Sequence, residues 1–195
     1  MTGKTHVAIG MVAALTVASE QTLENQLLVV LASVVGSLLP DIDHSKAKLN
    51  QKLLFIKNRS YRTLFYLSIA AIFGYFYFQS QNKVLGLLAL FFFFIAVSSH
   101  RSFSHSIVGF LIVSSIVKLI TDKYKLAAIY SGFVIGYVLH LMTDFFTAKG
   151  IELFYPLKIK VSSPLIINTK SSLDDIIFTL LSLYTVFLLF HYISI

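Results

Sequence analysis

The stretch His100-Arg101-Ser102-Phe103-Ser104-His105-Ser106 sits between two strongly apolar runs, one ending at Ser98 and the other beginning at Ser106. Two histidines and an arginine beside hydrocarbon-like sequence are costly to place unless they bind something. Working outward, three other places repeat the pattern of polar ligand types at the end of an apolar run. They are His6, Pro40-Asp41-Ile42-Asp43-His44 and His140-Leu141-Met142-Thr143-Asp144. The fold follows from asking how four such places can be brought to one side of a membrane.

The chain has 195 residues, of which 56% are hydrophobic and 13% charged, with a mean hydropathy of +0.79. Soluble proteins average about a quarter charged residues, so the composition reads as an all-α integral membrane protein, with residues 1–195 as a single membrane-embedded domain. The 18 Phe and 10 Tyr lie with aliphatic residues in whole segments rather than on one face, as lipid-facing helices require. The chain contains no Cys, which excludes disulfides, thiolate ligands and a Cys nucleophile. Any metal must therefore be held by nitrogen and oxygen. The apolar run after Thr5 lacks a clear cleavage site and reads as a first helix that is kept.

Hydropathy predicts about seven transmembrane helices, at His6–Ser19, Glu24–Leu39, Thr63–Phe78, Val84–Ser98, Ser106–Thr121, Leu126–Thr143 and Asp175–Ser194. Several are shorter than the roughly 20 residues that span hydrocarbon, and the first is compatible with a partly re-entrant path. Pro40 closes the second segment. Ser171, Ser172 and Asp174-Asp175 open the last with capping and dipole-compatible residues. If every segment crosses, parity brings His6, the Asp41–His44 run, the His100–His105 turn and the His140–Asp144 pair to one membrane face. Lys83, Lys118, Lys123 and Lys125 fall on the other side, leaving twelve of the sixteen Lys and Arg on the site side. The positive-inside rule then predicts an inner (cytoplasmic) membrane location, with the site facing the cytoplasm and the C-terminus outside. Topology thus accounts for the net charge of +7, and no nucleic-acid partner is expected.

Two site-side loops are long. Residues 45–62 mix Lys46, Lys48, Lys52, Lys57 and Arg59 with Leu53, Leu54, Phe55 and Ile56, a composition suited equally to an interfacial segment on membrane lipids and to an ordinary positive-inside loop. Residues 145–174 include an alternating run, Lys158 to Val161, then Ser162-Ser163-Pro164 and another apolar run, which predicts a small hairpin over the site.

His140 and Asp144 are four apart on a helix and can grip one cation. An extended backbone after Pro40 would put Asp41 and Asp43 on one side with His44 reachable by a bend. His100 and His105 flank a turn and can converge as the chain reverses. With His6, these metal-ligand candidates are five His and three Asp. That exceeds one tetrahedral ion and suits two or three divalent cations, with zinc foremost and manganese or iron also compatible. Such a site beside Arg101 suits phosphoester chemistry, with the metals acidifying a bound water and the guanidinium gripping phosphate oxygens. Arg101 and Asp43 are the catalytic candidates. Ser102, Ser104 and Ser106 read as caps or ligand supports, since no Gly-x-Ser-x-Gly elbow is present.

His6, Leu39-Pro40-Asp41-Ile42-Asp43-His44, the His100–Ser106 stretch, His140-Leu141-Met142-Thr143-Asp144-Phe145 and Gly150-Ile151-Glu152-Leu153-Phe154-Tyr155-Pro156 occur in that order. Together they resemble the YdjM-like family of predicted membrane-bound metal-dependent hydrolases. That family is distantly akin to zinc-dependent phospholipase C and P1-type nucleases, helical proteins that bind three zincs through His and Asp. The resemblance covers His6 to Pro156 and implies a hydrolase cleaving phosphoester bonds in a lipid or amphiphilic substrate. A metal or ion transporter, or a membrane scaffold or regulator with a structural metal, would use the same ligands. Transporters keep ligands near the bilayer midplane, whereas the ligands here stand at segment ends.

Overall fold

The computed structural model describes residues 1–43, 59–99, 101–169 and 171–193. Among these residues the chain is all-helical, with seven α-helices: α1 (Gly3–Val17), α2 (Leu23–Leu38), α3 (Arg59–Ser80), α4 (Lys83–Val97), α5 (Ile107–Tyr124), α6 (Ala127–Phe145) and α7 (Ser172–Ile193). They coincide with the seven apolar segments to within a few residues, because each long apolar run is free of interior proline, and some open on polar caps. Thr22 accepts from the Asn25 amide to open α2, and the Asn82 side chain accepts from the Val84 amide at 2.9 Å to open α4. Pro40 lies in a short 3-10 turn, Leu39–Asp43, directly after α2. Arg59 to Arg62, expected in the basic loop, belong to the first turn of α3; residues 45–58 of that loop lie outside the described residues.

Three stretches, Leu23–Ile42, Ala127–Phe145 and Ser172–Phe190, are long and apolar enough to cross a membrane, while α1 and α4 are apolar but only 15 residues long. On α7, Leu173, Ile176, Leu180, Leu183, Phe187 and Phe190 are all exposed. An apolar exterior of this extent is unfavourable in water and suits lipid.

The chain forms two compact units. The first comprises Met1–Pro40, Tyr124–Ile151 and Lys160–Ile195, the second Asp41–Lys123 and Glu152–Ile159. In the first unit α2 lies against α6 with backbones in direct approach. A β-carbon on Gly136 would fall 2.0 Å from the Ser33 carbonyl oxygen, and one on Gly132 would fall 2.1 Å from that of Val29. Ser33 donates to the Gly10 carbonyl of α1 at 2.9 Å, and the Ser37 hydroxyl reaches the Gly136 carbonyl at 3.4 Å. Small residues and hydroxyls are how helices associate where lipid removes the hydrophobic drive between them. The Thr5 hydroxyl donates to Asp174 at 2.8 Å, which joins the start of α1 to the start of α7. The first turn of α1, the last turns of α2 and α6 and the first turn of α7 therefore stand at one end of this unit.

In the second unit α3 and α4 are antiparallel neighbours. The Thr63 hydroxyl donates to the Ala96 carbonyl at 3.1 Å near one end, and Tyr77 lies over Gly86 near the other. The core here is aromatic: Phe103, fully buried, stacks on Phe94 at 4.9 Å between ring centres and meets the edge of Tyr155 at 5.8 Å. Phe91 and Phe92 pack in the same cluster, whereas Phe93 is exposed.

The hairpin expected after Phe145 does not form. Val161 pairs instead with Ile151 in an isolated antiparallel bridge. The Ser163 and Ile167 amides donate to the Phe145 and Phe146 carbonyls at the end of α6. The alternation at 158–161 is real, but the free carbonyls of the helix end outcompete a return strand for those amides.

Candidate metal centre

In the first unit the site is built on the last two turns of α6. His140 and Asp144 lie one turn apart and both face inward. Because Gly136 lets α6 press against α2, His140 Nδ1 lies 2.7 Å from the Ser37 carbonyl oxygen. Helix α1 contributes His6, whose ring stacks on that of His140 with 4.1 Å between centres. His6 Nδ1 lies 2.6 Å from the Thr143 hydroxyl, and its Nε2 lies 3.3 Å from Asp144 Oδ1. His140 Nε2 lies 3.8 Å from Asp144 Oδ2. The main-chain nitrogen of Met1 stands 3.4 Å from Asp144 Oδ1. His6, His140 and Asp144 are each no more than 2% exposed.

Proton accounting gives these contacts a direction. A carbonyl only accepts, so His140 carries a proton on Nδ1. The single Thr143 hydroxyl proton is directed to the Leu139 and His140 carbonyls, both 2.9 Å away, so the hydroxyl accepts from His6 Nδ1. In the neutral rings, Nε2 of both histidines then presents a lone pair toward an Asp144 oxygen. An acceptor facing an acceptor in a buried place is satisfied by a cation or by a second ring proton, and either would sit between the imidazole and the carboxylate.

In the second unit the His100–Ser106 motif ends in a 3-10 turn, Phe103–His105, anchored by buried Phe103. The Ser106 hydroxyl accepts from the Gly109 amide at 3.0 Å and so caps α5. A β-carbon on Gly109 would fall 2.1 Å from the Phe103 carbonyl oxygen, so only glycine lets the helix close on the turn. His105 is fully buried; its Nδ1 lies 2.9 Å from the Ser104 hydroxyl and its Nε2 lies 3.7 Å from Asp41 Oδ1. Arg101 has a φ of +65°, the left-handed region that residues with a β-carbon seldom enter. Its carbonyl accepts from the Glu152 amide at 3.0 Å, which holds the turn.

The structure thus brings His6, His140 and Asp144 together in one unit, and Asp41 and His105 together in the other. The backbone of Asp43 closes the turn after α2; its side chain, His44 and His100 lie outside the described residues. Sequence reasoning passed over Thr143 and the Ser37 carbonyl, the two groups that orient the rings. Thr143 stood within a quoted motif, and its position three residues after His140 was the available signal. Asp174, read as a dipole complement, is fully buried; besides Thr5 it accepts from the Thr2 amide at 3.2 Å.

Fold and site together define a helical membrane protein whose buried and partly buried His and Asp side chains could bind a metal ion, with His140 and Asp144, and Asp41 and His105, each offering a suitable ligand atom. The chain belongs to the YdjM inner membrane protein family, which matches residues 1–194. It is 30% identical over 194 residues to the protein YvsG of Bacillus subtilis (strain 168), covering 98% of each chain. It is 25% identical over 146 residues to inner membrane protein YdjM of Escherichia coli (strain K12), covering 74% of this chain and 57% of that one. No solved structure matches. Family membership and the apolar helices assign the chain to a membrane.

Proposed function

We propose that this chain is a membrane-bound metal-dependent hydrolase that cleaves a phosphoester bond in a lipid or amphiphile at the cytoplasmic face of the inner membrane. One observation carries the reading: each described histidine of the motifs is engaged at Nδ1 by a neighbouring oxygen and turns Nε2 toward a carboxylate. That is the habit of metal-ligating imidazoles, whose outer hydrogen bond sets tautomer and orientation. His6, His140 and Asp144 are the ligands of the first unit, and Asp41 and His105 those of the second. Asp43, His44 and His100 join them on motif grounds, and span parity in the sequence argues that all serve one face. The nitrogen and oxygen donor set fits two or three divalent ions, zinc first and manganese or iron next.

When bound, such ions supply Lewis acidity toward a phosphoryl oxygen and lower the pKa of water. The chain's own residues do the rest. Thr143 and the Ser37 carbonyl keep the ring protons on Nδ1, so that Nε2 remains a donor of electron pairs. Arg101, held in a conformation costing about 1–3 kcal/mol, offers a guanidinium fork to phosphate oxygens. The positive-inside bias supports a cytoplasmic site and an external C-terminus.

Elemental analysis of the purified protein, combined with hydrolysis assays on phospholipid in mixed micelles and on a generic phosphodiester, tests this. Wild type should carry divalent metal and cleave one of these substrates. His105→Ala and Asp144→Ala should lose metal and activity, and Arg101→Ala should lose activity while keeping metal. Wild-type protein that is metal-free and inactive across the panel would overturn the reading. Metal flux in proteoliposomes that His140→Ala abolishes, without hydrolysis, would replace it with transport.

A further inference from the structure

A cavity of ≈ 780 Å³ opens between α3 and α4 in the second unit, and its walls are nearly all apolar. Small residues make it: Ala70, Ala71 and Gly74 on α3 face Gly86 and Ala89 on α4. Lys83 is the one charged residue among the described residues of its lining. Along α4 the lining runs from Lys83 to Phe93. Ten residues of helix span about 15 Å. This is the depth of one leaflet, half of the about 30 Å hydrocarbon thickness. A long, apolar groove of that depth suits hydrocarbon chains.

The charge at its mouth selects among lipids. Lys83 occupies the first turn of α4, a turn without an acidic residue, so the ammonium adds to the positive end of the helix. Among the described residues Lys83 makes no ion pair, whereas nearby Lys118 is paired with Asp122 at 2.8 Å. Two positive features at one headgroup-level position favour an anion. Tyr77, lying over Gly86, supplies the aromatic ring common at that depth. Lys83 and Val97 mark opposite ends of α4, about 21 Å apart, so the groove mouth is remote from the Arg101–His105 turn within this unit.

We propose that this groove seats the acyl chains of one anionic phospholipid, with its phosphate on Lys83. The site is separate from the proposed metal chemistry and belongs to the leaflet opposite the candidate active face.

Native mass spectrometry of the full chain, released from micelles holding equal amounts of phosphatidylglycerol and phosphatidylcholine, tests it. Wild type should retain one phosphatidylglycerol in preference to phosphatidylcholine. Lys83→Gln should reduce that preference about fivefold, the worth of one lysine near a headgroup. A β-carbon on Gly74 meets no atom within 4 Å. Gly74→Leu should therefore fold and, by filling the groove, lower retention of both lipids. Wild-type retention blind to headgroup would overturn the proposal, as would retention unchanged in Gly74→Leu. A dimer that Gly74→Leu dissociates while lipid retention stays constant would reassign the groove to a second copy of the chain.

Discussion

The two units hold an imidazole against a carboxylate by opposite means. In the first, His6 and His140 are placed by helices whose backbones touch, through Gly10, Gly36, Gly132 and Gly136 with Ser33 and Ser37. In the second, His105 is placed by aromatic bulk, with Phe103 wedged between Phe94 and Tyr155. A seam of backbone contacts has no slack, because a carbonyl cannot move without moving its helix. A seam of rings can reorient when one member changes size. The difference implies that the first unit sets ligand geometry more rigidly than the second.

Three substitutions probe that comparison, in decreasing order of expected effect. Gly136→Ala adds one methyl group 2.0 Å from a carbonyl oxygen. It should destabilise the protein by about 3 kcal/mol, the upper end of overpacking costs, read from denaturant unfolding in micelles by far-ultraviolet circular dichroism. Thr143→Val keeps the shape and removes the hydroxyl that orients His6. Metal affinity should fall about 10- to 100-fold in a competitive chelator titration while helicity is unchanged. Phe103→Leu removes part of a fully buried ring but leaves a branched apolar side chain; its cost should be about 1 kcal/mol in the same unfolding assay. If Phe103→Leu proves as damaging as Gly136→Ala, the two seams are equally rigid and the contrast fails.

Much of the architecture was legible in the amino-acid order because lipid imposes a simple demand. Every long segment must be apolar and helical, so hydropathy located the seven helices of the described residues to within a few residues. Candidate ligands were legible for the complementary reason. Ionisable residues at the ends of such segments are costly, and His6, Asp41, His105, His140 and Asp144 stood out against the apolar background. The 145–174 loop misled because alternation reports what a strand could pair with, not what competes for its amides. There the carbonyls at the end of α6 captured Ser163 and Ile167.

The sequence by itself determined that this is a helical membrane protein carrying His and Asp at helix ends, since hydrocarbon selects composition locally, residue by residue. Only the tertiary structure decided how the rings are held and turned. His140 takes its orientation from the Ser37 carbonyl 103 positions away, and His6 takes its own from Thr143, 137 positions away. Such hydrogen bonds have no local signature. They exist because glycines at Gly36 and Gly136 let two helices approach to backbone contact, a property of the packed pair that neither helix carries alone.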